Sequence, residues 1–570
     1  MPKLNNEIAE LVRKHALLNA YKHGGEASSD AVLGKVLAEK AGLKERINEL
    51  RTVISETVKS VNKLSFEQQL AALKDSFPEV FEIPKPKEKA WPPLANAEQG
   101  RVVTRFPPEP NGPLHIGHAK AAIIDEAYAR MYAGKFILRF DDTNPANEKL
   151  EFYGAIRDSL KWLGVRPDIE KNTSDDLDVL YEYALQLITK GHAYVCTCDG
   201  ETVRRNRSVG TECEHRAQSI EANRGQWERM FTAFKQNEAI LRLKADMKHR
   251  NTALRDPTLF RLIDAPHPLR GNKYRVWPTY DFSVSIEDHL DGVTHAMRSK
   301  EYELRDELYY LLIDLLGLRK PQLIEFARLE LRGTPLSKRK LKPLVEGGFV
   351  EGWDDPRLPT LSGLRRRGFQ PDAIRQYVLG LGVSKAESLP TWDLLEAYSR
   401  KVLDPVARRY HFISEPVRLE VEDGPHLKVR LRLHPEKEYG ERLIDTHGTF
   451  FITTEDAQKF SVGNVFRLLE LYNVKVEMKT PGEIAAGYAG DNLIEGAPKI
   501  HWVTEKFTEF QVKVPGPLYI GETYNPDSLK VVRGYAEEAC RDLKAGDLVQ
   551  FIRFGFCRID APGVAILTHR

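Results

Sequence analysis

A multidomain α/β protein, helical at its N-terminus and β-rich at its C-terminus, is the fold class that this 570-residue sequence predicts. Such a length corresponds to roughly three to five domains. Three patterns support the prediction. Helical periodicity fills the first 82 residues, strand and helix patterns alternate after residue 101, and short alternating apolar runs follow residue 402.

Residues 1–95 are predicted to form a helical extension and a linker. Apolar residues recur every three or four positions, and Gly and Pro are sparse, which is typical of amphipathic helices. The stretch 83–94 is rich in proline and cannot sustain a helix, because proline lacks an amide donor and clashes with the preceding turn.

The next segments predict a Rossmann-like parallel sheet, with a first half at 96–191 and a second half at 279–335. RVVTRF forms a strand that ends at the loop PPEPNG, a helix begins near His115, and KFILRF (135–140) forms a second strand. Alternating strands and helices indicate βαβ winding, and ligands of such sheets bind beyond the carboxyl ends of the strands. Residues 192–278 interrupt the alternation of strands and helices with many charged residues and a group of cysteines. They are predicted to be an insertion.

The remaining sequence divides into a helical stretch, 336–402, and a β region, 403–570. The β region contains short alternating runs such as VRLEV, KVRLRL and KVEMK, separated by Gly, Pro and Asp. These runs predict antiparallel β-barrels.

The composition says more about the cellular compartment of the protein than about its function. Lys and Arg (84) nearly balance Asp and Glu (82), so the formal charge of +2 neither indicates nor excludes a nucleic-acid partner. The N-terminus lacks a signal-peptide pattern, and the apolar runs are too short to span a membrane. Five cysteines, three of them close together, suit a reducing compartment. A cytoplasmic protein is therefore expected.

The segment PPEPNGPLHIGH (107–118) is the strongest local signal for a ligand site. His115 and His118 share one face of a helix's first turn, where unpaired N–H groups and the positive dipole end favour phosphate. Gly117 between them would let a flat ring approach the backbone. A bare pair of histidines is more often a helix cap or a surface feature, but the preceding strand and the proline-rich loop favour a polyphosphate site.

The second signal is LSKRK (336–340), after the predicted strand LIEFARLEL and a turn. A basic pentapeptide taken alone is usually a solvated charge run. Placed after a strand, a lysine on a mobile loop can follow pyrophosphate as it leaves and stabilise the charge that develops.

Together these segments resemble the HIGH and KMSKS motifs of class I aminoacyl-tRNA synthetases. FPPEPNGPLHIGHAK, LRFDDTNP, WPTYDF and LSKRK occur in the order found in the glutamyl/glutaminyl branch of that family. The resemblance covers roughly residues 100–570, and the β-rich C-terminus is similar to the archaeal/eukaryotic branch. It implies a class I catalytic domain, an acceptor-stem-binding insertion, a helical stem-contact domain and β-barrels that bind the anticodon.

The resemblance also implies roles for individual residues. It makes His115, His118 and Lys338 the catalytic residues. The residues implied to bind ATP, supplied with Mg²⁺, are Glu109, Pro110, Asn111, His115, Gly117, His118, Arg328, Leu329, Ser337 and Lys338. Asp141 would pair with the substrate's α-ammonium group and Tyr280 would frame the amino-acid pocket, although Asp141 could instead cap a helix and Tyr280 could belong to the core.

Arg298 is the residue that favours glutamate over glutamine as the expected substrate. A γ-carboxylate requires a cationic partner, whereas burying an unpaired arginine against a neutral amide would be costly. The segment GVTHAMRSK (292–300) resembles the glutamyl pattern, in which this position is Arg rather than a small neutral residue. Arg105 is a second candidate that both branches share. A surface salt bridge is the alternative role for Arg298.

Cys196, Cys198, Cys213 and His215 form a CxC-x14-CxH arrangement. Three thiolates and one imidazole suit a tetrahedral structural Zn²⁺ site, and reduced free cysteines beside an exposed histidine are the alternative. The cluster resembles the zinc-bearing insertion of some glutamyl enzymes, although spacing and ligands differ.

The expected reaction joins L-glutamate to tRNA-Glu through a glutamyl-adenylate, with tRNA-Gln as a second candidate acceptor. We expect a monomer without membrane contact, with the N-terminal helices as a candidate site for a protein partner. Three alternatives stay open: a glutaminyl enzyme, a small-molecule nucleotidyltransferase and a non-catalytic tRNA-binding protein.

Overall fold

The computed structural model describes residues 6–22, 25–40, 43, 46–77, 91–329, 331, 334–385 and 391–570. The chain divides into two compact units, Met1–Ala90 and Trp91–Arg570. Most of the predicted linker, residues 83–90, lies outside the described residues. Among the described residues, no helix combines the length and the apolarity that crossing a membrane requires.

The first unit is helical, as predicted. Its helices are α1 (Asn6–Lys22), α2 (Ser29–Glu39), α3 (Ile47–Val61) and α4 (Phe66–Ser76). Helix α3 buries Leu50, Ile54, Val58 and Val61, which recur every three or four residues along one face. Burial of this stripe, rather than helix propensity, stabilises so short a helix.

The second unit begins with the predicted βαβ winding. Its elements are β1 (Val103–Phe106), α5 (Ile116–Met131), β2 (Lys135–Phe140), α6 (Leu150–Trp162), β3 (Ile169–Asn172) and α7 (Leu177–Thr189). Strands β1, β2 and β3 pair in parallel in that order. The loop PPEPNG and Asp141 therefore lie at the same edge of the sheet, where β1 and β2 end.

A four-stranded antiparallel sheet occupies the region of the predicted insertion. Its elements are β4 (Ala193–Cys196), α8 (Gly200–Val209), α9 (Ile220–Thr232), β5 (Ile240–Leu243), β6 (Thr258–Leu262) and β7 (Val276–Pro278). The strands pair in chain order, and Trp227, Leu241, Phe260 and Trp277 belong to their core.

The α/β pattern then resumes and rejoins the first half. The elements are α10 (Tyr280–Leu290), β8 (His295–Ser299), α11 (Asp306–Leu316) and β9 (Gln322–Phe326). Strands β8 and β9 pair in parallel. Thr294 N donates a hydrogen bond to Val103 O at 2.9 Å, and Val103 N donates to Thr294 Oγ1, so β8 lies beside β1.

Helices fill the next segment, as predicted. They are α12 (Lys338–Glu346), α13 (Leu361–Arg367), α14 (Pro371–Leu381) and α15 (Trp392–Leu403). The predicted strand LIEFARLEL is too long, because β9 ends at Phe326 and residues 327–329 do not continue the ladder.

The C-terminal region contains two seven-stranded sheets and two short hairpins. Its strands are β10 (Arg408–Tyr410), β11 (Phe412–Ser414), β12 (Pro416–Glu422), β13 (Leu427–Arg432), β14 (Glu441–Thr446), β15 (Thr449–Thr453), β16 (Val465–Leu468), β17 (Asn473–Lys479), β18 (Glu483–Tyr488), β19 (Lys499–Ile500), β20 (Val503–Thr504), β21 (Phe507–Pro515), β22 (Tyr519–Ile520), β23 (Thr523–Tyr524), β24 (Leu529–Glu537), β25 (Leu548–Phe551), β26 (Gly555–Ala561) and β27 (Val564–His569). A short helix, α16 (Thr454–Lys459), follows β15.

The predicted antiparallel pairing holds for most of the neighbouring strands in these two sheets, but not for all of them. The strand order is β10-β25-β26-β27-β21-β24-β11 in one sheet and β19-β16-β17-β18-β12-β15-β20 in the other. Four of the neighbouring pairs are parallel: β10·β25, β12·β18, β16·β19 and β21·β27. Long connections return the chain to distant strands in the same direction, and such pairings leave no local sequence signal.

Candidate active site

A cavity of about 620 Å³ opens at the carboxyl ends of β1, β2 and β8. It is the site that the βαβ winding predicts. The predicted site residues that line it are Arg105, Glu109, Asn111, His115, Gly117, His118, Asp141, Tyr280, Arg298, Arg328, Leu329, Ser337 and Lys338. Pro110 is the exception: it is buried, it does not line the cavity, and its carbonyl accepts a hydrogen bond from Lys149 N.

His115 and His118 cap the first turn of α5 reciprocally. His115 Nδ1 accepts hydrogen bonds from Gly117 N at 3.1 Å and His118 N at 3.4 Å, while His118 Nδ1 accepts from His115 N at 3.2 Å. The two rings stack with their centroids 3.7 Å apart. The capping role and the cavity-lining role thus coincide, because the Nδ1 atoms serve the backbone and the Nε2 atoms remain for a ligand.

Both imidazoles are neutral at physiological pH. Burial, together with the nearby charge of Arg328, lowers the pKa of His118 to about 4. Burial, with the charges of His118 and Arg328, also lowers the pKa of His115 well below its usual range. Because Nδ1 accepts in each ring, the remaining proton is on Nε2. The pair is therefore a set of two neutral N–H donors.

Gly117 leaves space for the ring of His115. A Cβ at this position would lie 2.9 Å from His115 Cε1 and 3.3 Å from Leu336 Cδ1. Gly117 thus permits the cap that orients the histidines.

Lys338 reaches from α12 to the loop PPEPNG. It is the first residue of α12, after the N-cap Ser337, so the prediction of a lysine on a mobile loop is wrong in this conformation. A Cβ on Gly112 would lie 3.1–3.3 Å from Lys338 Cε, Cδ and Nζ, so the lysine packs where a side chain is missing. Burial lowers the pKa of Lys338, and the charge of Glu109 opposes that shift.

Arg328 and Leu329 follow β9 at the cavity wall. Arg328 Nη1 donates a hydrogen bond to Glu301 Oε1 at 2.6 Å, and its charge is close enough to lower the pKa values of both histidines. Leu329 is buried beside them. This segment therefore supplies one cation and one apolar surface to the histidine side of the cavity.

Arg105 is already engaged inside the protein. Its Nε and Nη2 donate to the two carboxylate oxygens of Asp288, at 2.9 and 3.2 Å, and Nη1 donates to Met297 O. Asp288 also accepts from Arg139 Nη2 at 2.8 Å and from Tyr309 OH at 3.0 Å. The charge of Arg105 is thus balanced by Asp288, and its main structural effect is to join β1 to α10 and β8.

Arg298 is buried, so the surface salt bridge considered above is wrong. Its side chain is 4% exposed, and its Nη2 lies 2.9 Å from Asp306 Oδ1. Neither Nε nor Nη2 has a hydrogen-bond partner, although both are buried and the residue lines the cavity. A buried guanidinium with unused donors predicts an acceptor supplied by a ligand.

Asp141 lies just beyond the end of β2 and does not cap a helix. Its Oδ1 is buried without a hydrogen-bond partner, and the residue lines the cavity. Burial raises the pKa of Asp141 to about 7, an effect that Arg139 opposes and Glu109 reinforces. The cavity therefore presents the unpaired carboxyl oxygen of Asp141, and a second one on Asp125, in addition to the unpaired donors of Arg298.

Tyr280 begins α10, where it lines the cavity and also packs on the cluster of Val284, Tyr309 and Ile313. Its ring lies 5.2 Å from that of Tyr302, a cavity residue that the sequence reasoning missed.

Asp125 is another cavity residue that the sequence reasoning missed. It lies seven residues after His118 on α5, and that helical spacing was the signal that could have identified it.

The four cysteine and histidine residues of the predicted metal site come together at the end of β4. Their ligand atoms all lie within 4.8 Å of one another. Cys196 Sγ is 3.7 Å from Cys213 Sγ, and Cys198 Sγ is 3.5 Å from His215 Nδ1. Tetrahedral zinc, with bonds of about 2.3 Å to sulfur and about 2.0–2.1 Å to nitrogen, would separate such pairs by about 3.7 and about 3.5 Å. The donor set and its spacing fit a tetrahedral ion.

The sequence models that match this chain all describe domains of the same family. The sequence model described as tRNA synthetases class I (E and Q), catalytic domain, matches residues 101–405. Two models described as the anti-codon binding domain of the same synthetases match residues 407–489 and 499–560.

Curated relatives align over almost their full lengths. The glutamate–tRNA ligase of Nitrosopumilus maritimus is 45% identical, and the alignment covers 100% of both chains. The enzymes with the same name from Cenarchaeum symbiosum and Korarchaeum cryptofilum are 42% and 41% identical, over 99% of this chain and 100% of theirs.

Proposed function

The chain belongs to the class I tRNA synthetases that serve glutamate and glutamine, and from this premise we propose that it attaches L-glutamate to tRNA-Glu at the expense of ATP. The archaeal relatives aligned above carry the name glutamate–tRNA ligase. The reaction has two steps. The α-carboxylate of glutamate attacks the α-phosphorus of Mg²⁺-ATP, giving glutamyl-adenylate and pyrophosphate, and a ribose hydroxyl of the tRNA terminus then takes the glutamyl group.

One observation carries the choice of glutamate: the buried guanidinium of Arg298, with two nitrogens that lack acceptors. A γ-carboxylate would supply both charge and acceptors, whereas the amide of glutamine would supply a single neutral oxygen. Asp141, which has an unpaired carboxyl oxygen in the same cavity, is suited to the α-ammonium group. A glutaminyl enzyme is not favoured, because it would leave the charge of Arg298 buried without a substrate counterion.

The histidine side of the cavity is proposed to bind ATP. The two Nε2–H donors and the backbone N–H groups at the start of α5 would face the phosphates, and Lys338 would stabilise the charge of the departing pyrophosphate. Glu109, Asn111, Arg328, Leu329 and Ser337 would line the nucleotide, with Mg²⁺ bound to its phosphates. Catalysis would rest on positioning and charge stabilisation.

The insertion is proposed to hold the acceptor end of the tRNA, and the two C-terminal sheets to bind the anticodon. Support for the second assignment comes from the two matched anticodon-binding models. Whether tRNA-Gln is also an acceptor depends on anticodon contacts, which are made with single-stranded bases.

Separate charging reactions test this function. Purified tRNA-Glu and tRNA-Gln are each incubated with enzyme, ATP and either labelled glutamate or labelled glutamine. We expect glutamate on tRNA-Glu and no glutamine on either tRNA. Attachment of glutamine, or attachment of neither amino acid, would contradict the proposal.

We further propose that Cys196, Cys198, Cys213 and His215 hold a structural Zn²⁺. The ion would cross-link the end of β4 to the segment after α8, and His215 Nε2 is held by Thr197 Oγ1 at 2.8 Å, as is usual for a metal-bound imidazole. Four protein ligands leave no position for a reacting water, so a catalytic role for the ion is not proposed.

Replacing Cys213 with serine is expected to remove zinc from the purified protein. The zinc content, measured by metal analysis, should fall from about one ion per chain to nearly none, and the temperature of unfolding should also fall. Cys557→Ala is the matched control, because Cys557 is buried in β26 far from the cluster in sequence, and it should retain the zinc. Equal zinc content in the two variants would refute the site.

Glutamate use is expected to depend on pH through Asp141. The carboxyl group must be ionised to pair with the α-ammonium group, and its pKa is about 7 in the free enzyme. The value of kcat/KM for glutamate should therefore fall about tenfold for each unit of pH below about 7 and reach a plateau above it. The KM for ATP, measured over the same range, should not follow this profile; parallel changes in both would assign the titration to another group.

A further inference from the structure

The guanidinium of Arg298 is held from one side by α11. Asp306 and Tyr309 are three residues apart on this helix, so their side chains share a face. Asp306 Oδ1 lies 2.9 Å from Arg298 Nη2, and the guanidinium carbon lies 4.9 Å from the centre of the Tyr309 ring. The ring itself is fixed, because Tyr309 is buried and its hydroxyl donates to Asp288.

A second carboxyl group borders the same guanidinium but has its own partner. Glu325 lies opposite Arg298 in the register of β8 and β9. Lys385 Nζ forms an ion pair with Glu325 Oε2. Asp306 is the residue that forms the ion pair with Arg298, and its carboxyl group also contacts that of Glu325. Burial and this contact raise the pKa of Asp306, whereas the charge of Arg298 opposes the shift.

The contact between Asp306 and Arg298 is an ion pair that leaves hydrogen-bonding capacity unused. The nearest atoms are 2.9 Å apart, yet Nε and Nη2 of Arg298 and Oδ1 of Asp306 all lack a hydrogen-bond partner. The N–H groups are thus directed away from Asp306 while the charge attraction persists. Such an arrangement holds the cation in place without occupying the donors that a ligand needs.

We propose that Asp306 is a positioning residue for amino-acid specificity, which acts through Arg298 by holding its guanidinium against Tyr309 with its free N–H groups toward the cavity. The inference rests on the proposed function, in which Arg298 binds the γ-carboxylate of glutamate. Asp306 does not touch the substrate. Its contribution is pre-organisation, since a long side chain that is already ordered loses less entropy on binding.

A double-mutant cycle tests whether Asp306 acts through Arg298. Glutamate attachment to tRNA-Glu is measured for the wild type, Asp306→Asn, Arg298→Ala and the double variant, with kcat/KM taken at low glutamate. Asp306→Asn is expected to lower kcat/KM for glutamate about tenfold in the wild-type background and less than about twofold in the Arg298→Ala background. The KM for ATP should stay within about twofold in both.

Asp314→Asn is the matched control. Asp314 lies on the same helix, is exposed and pairs with Lys320, so its replacement should leave kcat/KM for glutamate unchanged. Equal losses in the two backgrounds would make Asp306 a general structural residue, and a gain in kcat/KM would make it a competitor of the substrate; either result overturns the inference. A wild type that does not charge glutamate would instead overturn the proposed function.

Discussion

Replacing Lys338 with alanine should slow the formation of glutamyl-adenylate by about 10²–10³-fold while changing the KM for ATP much less. Lys338 is the first residue of α12, lines the cavity and packs beside Gly112 in the loop that precedes the histidines. Its charge is proposed to act on the phosphates most strongly as pyrophosphate separates. The measurement is glutamate-dependent pyrophosphate exchange in the presence of tRNA-Glu.

Lys342→Ala provides the comparison for this variant. Lys342 lies one turn further along α12, is exposed and pairs with Glu346 at 3.4 Å. Its removal takes the same charge from the same helix without reaching the cavity, and exchange should stay within about twofold of the wild type. Similar losses in the two variants would mean that α12 acts through its overall charge rather than through Lys338.

The Arg298→Cys variant is expected to lose the use of glutamate by a factor of about 10²–10³, because truncating one partner of a buried charge contact costs about 2–5 kcal/mol. The loss should appear in kcat/KM for glutamate, since the substrate's γ-carboxylate would then enter the cavity without its cation. ATP binding, measured by the KM for ATP, should change little, because the nucleotide is proposed to bind on the histidine side of the cavity.

Arg130→Cys controls for the loss of an arginine from the same domain. Arg130 is exposed at the end of α5 and pairs with Asp168 at 2.7 Å, away from the cavity. It should charge glutamate at close to the normal rate. If Arg298→Cys weakened ATP and glutamate use equally, the residue would be a structural element of β8 rather than a specificity determinant.

The sequence predicted the structure correctly where a functional feature is formed by residues close together in the chain. The strand, the proline-rich loop and the histidines three residues apart are all set by consecutive residues, so the start of α5 and the positions of β1 and β2 were predicted within a few residues. The same is true of the cysteine pairs, each with one residue between its members, which place four ligand atoms within 4.8 Å of one another.

Errors arose where a residue's surroundings come from distant parts of the chain. Lys338 was expected on a loop, but it is the first residue of α12, and its side chain lies beside Gly112, more than two hundred residues earlier in the chain. The four parallel strand pairs of the C-terminal region were missed for the same reason, because each joins strands far apart in sequence.

By itself, the sequence determined the family and the residues proposed for its chemistry: the helix start proposed to bind phosphate, Lys338 and Arg298. Only the tertiary structure decided which arginine is available. Arg105 and Arg298 are both buried cations beside one cavity, yet Arg105 is neutralised by Asp288, 183 residues away, while Arg298 keeps donors without acceptors. The physical reason is that a buried charged group is available to a ligand only if the protein does not already satisfy it with counterions. Folding brings these counterions from distant elements of the chain, which no local sequence pattern connects.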